Sequence, residues 1–129
     1  MAILRVKDIR EKKLIGQLGE RLAASGIVKM GYTILEMNYQ AHHVGEIDII
    51  HREENKIVFS EVKTFLSEKN WGEPIDQMDE KKRDRIVESA NKYLEEKGID
   101  QHIRFDVISI QYFHGKPKIT RIKGGLPTV

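Results

Sequence analysis

The chain has no cysteine among its 129 residues. Disulfide frameworks and thiolate metal centres are therefore excluded, and a reducing cytoplasm is the expected setting. Long apolar runs are missing too. The opening stretch MAILRVKDIREKK is broken by charge and does not resemble a signal peptide. No stretch approaches the roughly 20 apolar residues of a membrane-spanning helix, so no membrane partner is expected. Nor does one sign of charge dominate, because 22 basic and 20 acidic side chains leave a net +2. A whole-molecule field that weak says little about nucleic acid, and local clusters must carry that question. There is no internal repeat and no linker. What remains is 40% hydrophobic and 33% charged, the composition of one globular domain over residues 1–129 rather than a disordered chain.

The chain is organised around Gly45 to Lys63, GEIDIIHREENKIVFSEVK. It reads as two short strands and a polar turn. Alternation places Glu46, Asp48 and Ile50 on one face of the first strand, with Ile47 and Ile49 on the other. In the second strand Ile57, Phe59, Glu61 and Lys63 share a face, opposite Val58, Ser60 and Val62. A turn over Arg52–Asn55 puts His51 opposite Lys56, Asp48 opposite Phe59 and Glu46 opposite Glu61. Asp48 and Glu61 are then diagonal neighbours. Acids this close repel, and a shared cation or a captured proton relieves them. Magnesium, with manganese as its substitute, accepts a few carboxylate oxygens and keeps water. Zinc would ask for His or Cys beside the acids, and that spacing is absent. The plainer alternative is a solvated sheet face on which Glu61 and Lys63 are surface charges.

Elsewhere the pattern is simpler. A helix is expected from about Asp8 or Glu11 to Ser25, stopped by Gly26, with Leu14, Leu18 and Leu22 as its apolar stripe. Glu20 lies on the other side, among Gly16, Ala23 and Ala24. From helix geometry alone it reads first as solvent-facing. The segment 32–39 reads as a strand and Gln40 to Val44 as a loop, whose His42 and His43 point to opposite sides and receive no catalytic role. An irregular link covers Thr64 to Ile75, with Trp71 either stacking on a base or capping the core. A second helix runs from about Asp76 to Lys97 and is stopped by Gly98, with Ile86, Val87, Ala90, Tyr93 and Leu94 buried. Its Lys81, Lys82, Arg83 and Arg85 alternate with acids, as solvated faces do, and would contact phosphates without reading sequence. Ile103 to Ile110 is a strand with Arg104 and Asp106 on one face, placed to pair. Lys116 to Lys123 suits an edge strand, and the tail GGLPTV is expected to be loose.

The order is helix, three strands, helix, and one or two strands, with acids in the first helix and second strand and E-x-K in the third. It resembles the PD-(D/E)xK nuclease core. The fold class expected is α/β, a restriction-endonuclease-like αβββαβ core with a mixed central sheet flanked by helices. More closely, GQLGERLAA, GYTILEMNY, GEIDII, IVFSEVK, WGEP, Lys82 with Arg85-Ile86, and RFDVISI resemble the successive blocks of the bacterial YraN-like family, which is grouped with Holliday-junction resolvases. The resemblance implies Glu20, Asp48 and Glu61 as metal-binding acids and Lys63 as the catalytic lysine. It makes Arg21, Lys82 and Arg104 the candidate nucleic-acid contacts, and brings Glu20 from the solvent to the site. It implies Mg²⁺ or Mn²⁺ as cofactor, and DNA, branched or duplex, as partner, with RNA and a homodimer in view. The chain departs from the family pattern at Phe65 and Gln40, where basic residues are common, and at its C-terminus. Three functions follow in order: a magnesium-dependent endonuclease, a nucleic-acid-binding module with the nuclease fold, and a scaffold whose acids are only surface charge.

Overall fold

The computed structural model describes residues 6–65 and 80–126. The expected link with Trp71 and the WGEP block lies outside the described residues. Helix α1 (Val6–Lys29) precedes strands β1 (Thr33–Ala41), β2 (Gly45–Glu53) and β3 (Lys56–Phe65); helix α2 (Glu80–Lys97), β4 (His102–Phe113) and β5 (Lys116–Ile122) follow. The strands form one sheet in the order β1-β2-β3-β4-β5, antiparallel except for the parallel β3–β4 pair. Parallel neighbours cannot be joined by a hairpin, and the connection containing α2 makes the crossover. This is the α/β architecture with a mixed sheet that the sequence leads one to expect, consistent with a restriction-endonuclease-like core. β5 forms an edge, where Pro117 breaks no ladder on its outer side. No helix among the described residues is long and apolar enough to cross a membrane.

The helices end by the same device. Gly31, at φ 90°, donates its N–H to the Val28 carbonyl (2.9 Å), and Tyr32 donates to Ile27 (3.3 Å). Gly98, at φ 62°, donates to Glu95 (3.2 Å), and Ile99 donates to Leu94 (2.9 Å). These paired bonds satisfy the last carbonyls around a left-handed residue that glycine adopts without strain. The expected stop at Gly98 is observed; the one at Gly26 is not. Ile27, the next residue, is 1% exposed, and burying it carries α1 on by another turn.

Each helix covers one face of the sheet. Ala23 and Ile27 of α1 pack with Ile49, Ile108 and Ile110. Ile86, Ala90 and Tyr93 of α2 pack with Ile50, Ile57, Phe59, Phe105 and Val107, as the helical periodicity indicates. Complete burial of such side chains contributes about 1.5–3 kcal/mol each. The α1 stripe is a correction. Leu14 is 58% exposed and Leu18 53%. Gly19 and Ala23 face the sheet instead, with Leu22 alone of the stripe partly buried beside them: a β-carbon on Gly19 would lie 2.2 Å from Thr64 Oγ1 and 3.4 Å from Ile110 Cδ1. Close approach of the helix backbone therefore outweighs burial of the leucines, and it turns Glu20 inward. The tail is not loose as far as Leu126, which is 4% exposed in the α2-side cluster.

The hairpin register also differs from expectation. Glu53 pairs with Lys56, His51 with Val58, and Ile49 with Ser60. The turn is only Glu54 and Asn55, with Glu54 at φ 56°, so the register slides by two residues and Asp48 comes beside Glu61 rather than diagonal to it. A two-residue turn with positive φ suits the twist of paired strands. The faces of β2 change as well. Ile49 and its partner Met37 pack on the α1 side, whereas Ile47 and its partner Tyr39 pack on the α2 side. Between them lie Asp48 and Asn38, the latter at φ 52°. The left-handed Asn38 breaks the alternation of β1 between Met37 and Tyr39, asparagine tolerates it, and their β2 partners Ile49 and Ile47 change faces with them.

Candidate functional site

The β2–β3 ladder opens where the faces change. Beyond Ile49 and Ser60 the backbone pairing ceases, and the Asp48 carboxylate replaces a main-chain acceptor, receiving the Val62 N–H at 2.8 Å. This bond fixes Asp48 against the strand that carries Glu61 and Lys63. Glu20 arrives from α1 and comes near enough to Asn38 and Asp48 for both to favour its charged form. The sequence therefore brings together Glu20, Asp48, Glu61 and Lys63 from three separate elements. Asn38 was not foreseen. Its only sequence signal is an asparagine, a residue suited to positive φ, in an otherwise regular strand.

α2 closes the other side. Lys82 Nζ lies 2.8 Å from Glu61 Oε1, and Lys63 Nζ lies 3.4 Å from the same oxygen. A cleft of about 200 Å³ is lined by Gly45, Glu46, Asp48, Glu61, Lys82, Arg85 and Ile86. Arg85, one helical turn from Lys82, is a second residue not singled out as a site residue, although i, i+3 spacing on a helix places it beside Lys82. Gly45 allows the approach of α2: a β-carbon there would meet Ser89 Oγ at 3.0 Å and Arg85 Cβ at 3.3 Å. Ser89 Oγ in turn donates to the Arg85 carbonyl at 2.7 Å.

Crowding sets the electrostatics. Burial, then Glu61 and Glu20, push the Asp48 carboxyl up to about 8, against the Val62 N–H that favours its charged form. Glu20 is raised by burial and by Glu46 and Glu61, with Asn38 and Asp48 opposing. The Lys63 ammonium is lowered by burial and by Lys82, with Glu61 opposing. Burial acts against Lys82 too, but Glu61 outweighs it and its pKa is raised. Asp48 and Lys82 line the cleft, and acids and lysines with displaced pKa values gathered in and beside one cleft are a frequent sign of a functional site.

Other candidates lie elsewhere. Arg21 is exposed on α1. Arg104 is bound on the α1 side of the sheet, its Nε 2.7 Å from Asp106 Oδ1 and its Nη2 3.1 Å from Glu53 Oε2; the expected Arg104–Asp106 pair is thus observed, inside a larger network. Arg121 also pairs with Glu53, and the Gly124 N–H reaches Asp106 at 3.0 Å. His51, 0% exposed, holds Glu53 at 3.0 Å through Nε2 and stacks on Tyr32. Burial alone would raise Glu53, yet hydrogen bonds from His51, Arg121 and Arg104 hold it at about 2. Glu53 was placed in the turn by the sequence reading, and the shorter turn brings it into the sheet. His42 and His43 sit side by side in the β1–β2 loop, ring centres 3.8 Å apart, outside the carboxylate cluster.

The cleft's donors suit a hard cation. They are carboxylate oxygens, with no histidine or cysteine in the lining, which fits magnesium or manganese and not zinc. No three His, Asp or Glu side chains form a ready-made cage among the described residues. Magnesium does not require one, because one or two carboxylates suffice when water and substrate oxygens complete the octahedron. Asp48 and Glu61 are the pair that could hold it, with Glu20 as the third acid.

Comparison with known proteins agrees with the blocks in the sequence. The family model described as "Uncharacterised protein family UPF0102" matches residues 19–110. A UPF0102 protein of Caldanaerobacter subterraneus subsp. tengcongensis is 42% identical over 100 residues, covering 77% of this chain and 80% of the relative. One from Clostridium kluyveri is 40% identical over 114 residues, covering 86% and 92%. One from Syntrophus aciditrophicus is 41% identical over 109 residues, covering 84% and 82%. The match takes in Gly19, Glu20, the whole β2–β3 hairpin and α2. The chain belongs to the UPF0102, or YraN, family.

Proposed function

We propose that this protein is a magnesium- or manganese-dependent phosphodiesterase that cuts DNA, with branched DNA among the substrates to test. One observation carries the reading: Glu20 of α1, Asp48 of β2, and Glu61 and Lys63 of β3 meet at the point where the β2–β3 ladder opens. Asp48 and Glu61 would hold the cation. When bound, it supplies Lewis acidity at a phosphoryl oxygen and a reactive water at neutral pH. Lys63 is held beside Glu61, where an ammonium orients the attacking water and offsets charge growing on the phosphoryl group. Lys82 and Arg85 line the same cleft and would meet phosphates flanking the scissile one, contacts that set register without reading sequence.

The test is a cleavage assay on single-stranded, duplex, flapped and four-way DNA, and on RNA, with Mg²⁺ or Mn²⁺. Wild type should cut, with Asp48→Ala at least about 100-fold slower, the scale expected when an electrostatic element of a site is lost. Equal cleavage by the two proteins would sink the assignment. A second reading is a DNA-binding module without turnover. It is favoured by the two ammonium groups already at Glu61 Oε1, since an acid neutralised from within has less need of an ion. Its signature is salt-sensitive binding with no cleavage.

A further inference from the structure

The E-x-K motif shares its glutamate with a second lysine from another element. Lys82 Nζ is the closer of the two ammonium groups to Glu61 Oε1, at 2.8 Å against 3.4 Å for Lys63. The Glu61 side chain is 11% exposed and that of Lys82 is 38% exposed. Lys82 therefore reaches inward from the solvent side, on a flexible four-carbon stem. α2 itself is held by Ile86, Ala90 and Tyr93, so the ammonium can leave Glu61 without moving the helix. Lys63 is anchored on β3 and its side chain is 21% exposed, which gives it less room to withdraw.

A carboxylate oxygen that already faces two ammonium groups cannot also accept a divalent cation without close like-charge repulsion. A cation drawn to that oxygen favours withdrawal of one ammonium, and Lys82 is the more exposed of the two. We propose that Lys82 is an internal counter-ion: it occupies Glu61 until a divalent cation enters, and then swings to a phosphate of the substrate. This rests on the metal reading of the same cleft. It adds that the cation and Lys82 compete for Glu61, and competition of this kind is reciprocal. Arg85, lining the cleft one turn further on, marks the side from which a phosphate would meet the released lysine.

Calorimetric titration of Mn²⁺ into the full chain tests it. Wild type is compared with Lys82→Met, with Lys82→Gln as a polar version, and with Lys81→Met. Lys81 is the exposed neighbour on α2, so its loss removes the same charge from the molecule without touching Glu61. Thermal melts establish that each variant is folded. Both Lys82 variants should bind Mn²⁺ about tenfold more tightly than wild type, the equivalent of about 1.4 kcal/mol, while Lys81→Met stays within about twofold. Mn²⁺ binding by the Lys82 variants but not by wild type would be the same result in stronger form. Wild-type binding that the Lys82 variants leave unchanged or weaken overturns the counter-ion role and spares the metal reading. Failure of all four proteins to bind Mn²⁺ overturns both.

Discussion

The acids near the two ends of β2 live in opposite electrostatic settings. At its C-terminal end Glu53 is surrounded by Arg104, Arg121 and His51, and its carboxyl is held at about 2. Near its start Asp48 faces Glu61 and Glu20, and its carboxyl is driven up to about 8. Both acids are removed from much of the solvent, so burial alone does not separate them. Partners do. The Glu53 network joins β2, β4 and β5 and ties down the chain after β5 through Gly124. It is a closed set of charges that serves the fold. In the Asp48 cluster the ammonium groups of Lys63 and Lys82 both contact Glu61, while Asp48 itself is crowded by Glu61 and Glu20, and a cation there would offset that crowding.

The contrast can be broken by mutation. Glu53→Ala strands Arg104 and Arg121 beside Asp106 and should cost about 3–5 kcal/mol of stability, read from urea denaturation. Asp48→Asn removes one of the crowded charges and keeps the shape, so it should fall within about 1 kcal/mol of wild type. Equal losses from the two variants would erase the distinction. Gly19→Ala tests how the site is assembled. Its new β-carbon would meet Thr64 Oγ1 at 2.2 Å, and the adjustment should cost about 1–3 kcal/mol while moving Glu20 away from Asp48. Gly16→Ala, with nothing within 4 Å of the added carbon, should be neutral or stabilising by up to about 1 kcal/mol.

The same contrast gives opposite pH signatures. For Asp48, raised from an ordinary 3.8 to about 8, the stabilising contribution is complete below 3.8 and is lost as pH rises through about 8. For Glu53, lowered from 4.5 to about 2, it is complete above 4.5 and is lost as pH falls through about 2. His51, lowered chiefly by burial, adds to the acid side, because charging it below its ordinary 6.5 opposes the fold. In denaturation across pH, Asp48→Asn should flatten the arm between pH 3.8 and about 8, and Glu53→Gln the arm between pH 4.5 and about 2. The same arm changing in both variants would contradict the assignment.

Much of the fold was legible because its signals are local. The glycine at the end of α2, the apolar period of that helix, the alternation of β4 and the proline in β5 each report on a few neighbouring residues. The Asp48, Glu61 and Lys63 grouping was legible for a similar reason, since one hairpin joins them. Glu20 was legible only through the family resemblance, because the α1 periodicity favours Leu14 and Leu18, and the fit of Gly19 against Thr64 decides which side meets the sheet. The register was missed by two residues because Arg52 and Glu53 are as polar as a turn. Whether they belong to the turn depends on distant Arg104 and Arg121. Asn38 and Arg85 matter through approach in space, which a linear pattern does not encode.

On the metal reading, Asp48 sits among acids whose crowding a divalent cation would relieve. Carboxyl-carbon NMR titration of Asp48, with and without Mg²⁺, measures this directly. Without the ion its midpoint should lie near the value of about 8, and saturating Mg²⁺ should bring it down sharply while Glu53 remains near 2. An Asp48 midpoint close to the ordinary 3.8, or one that Mg²⁺ does not move, would contradict the account.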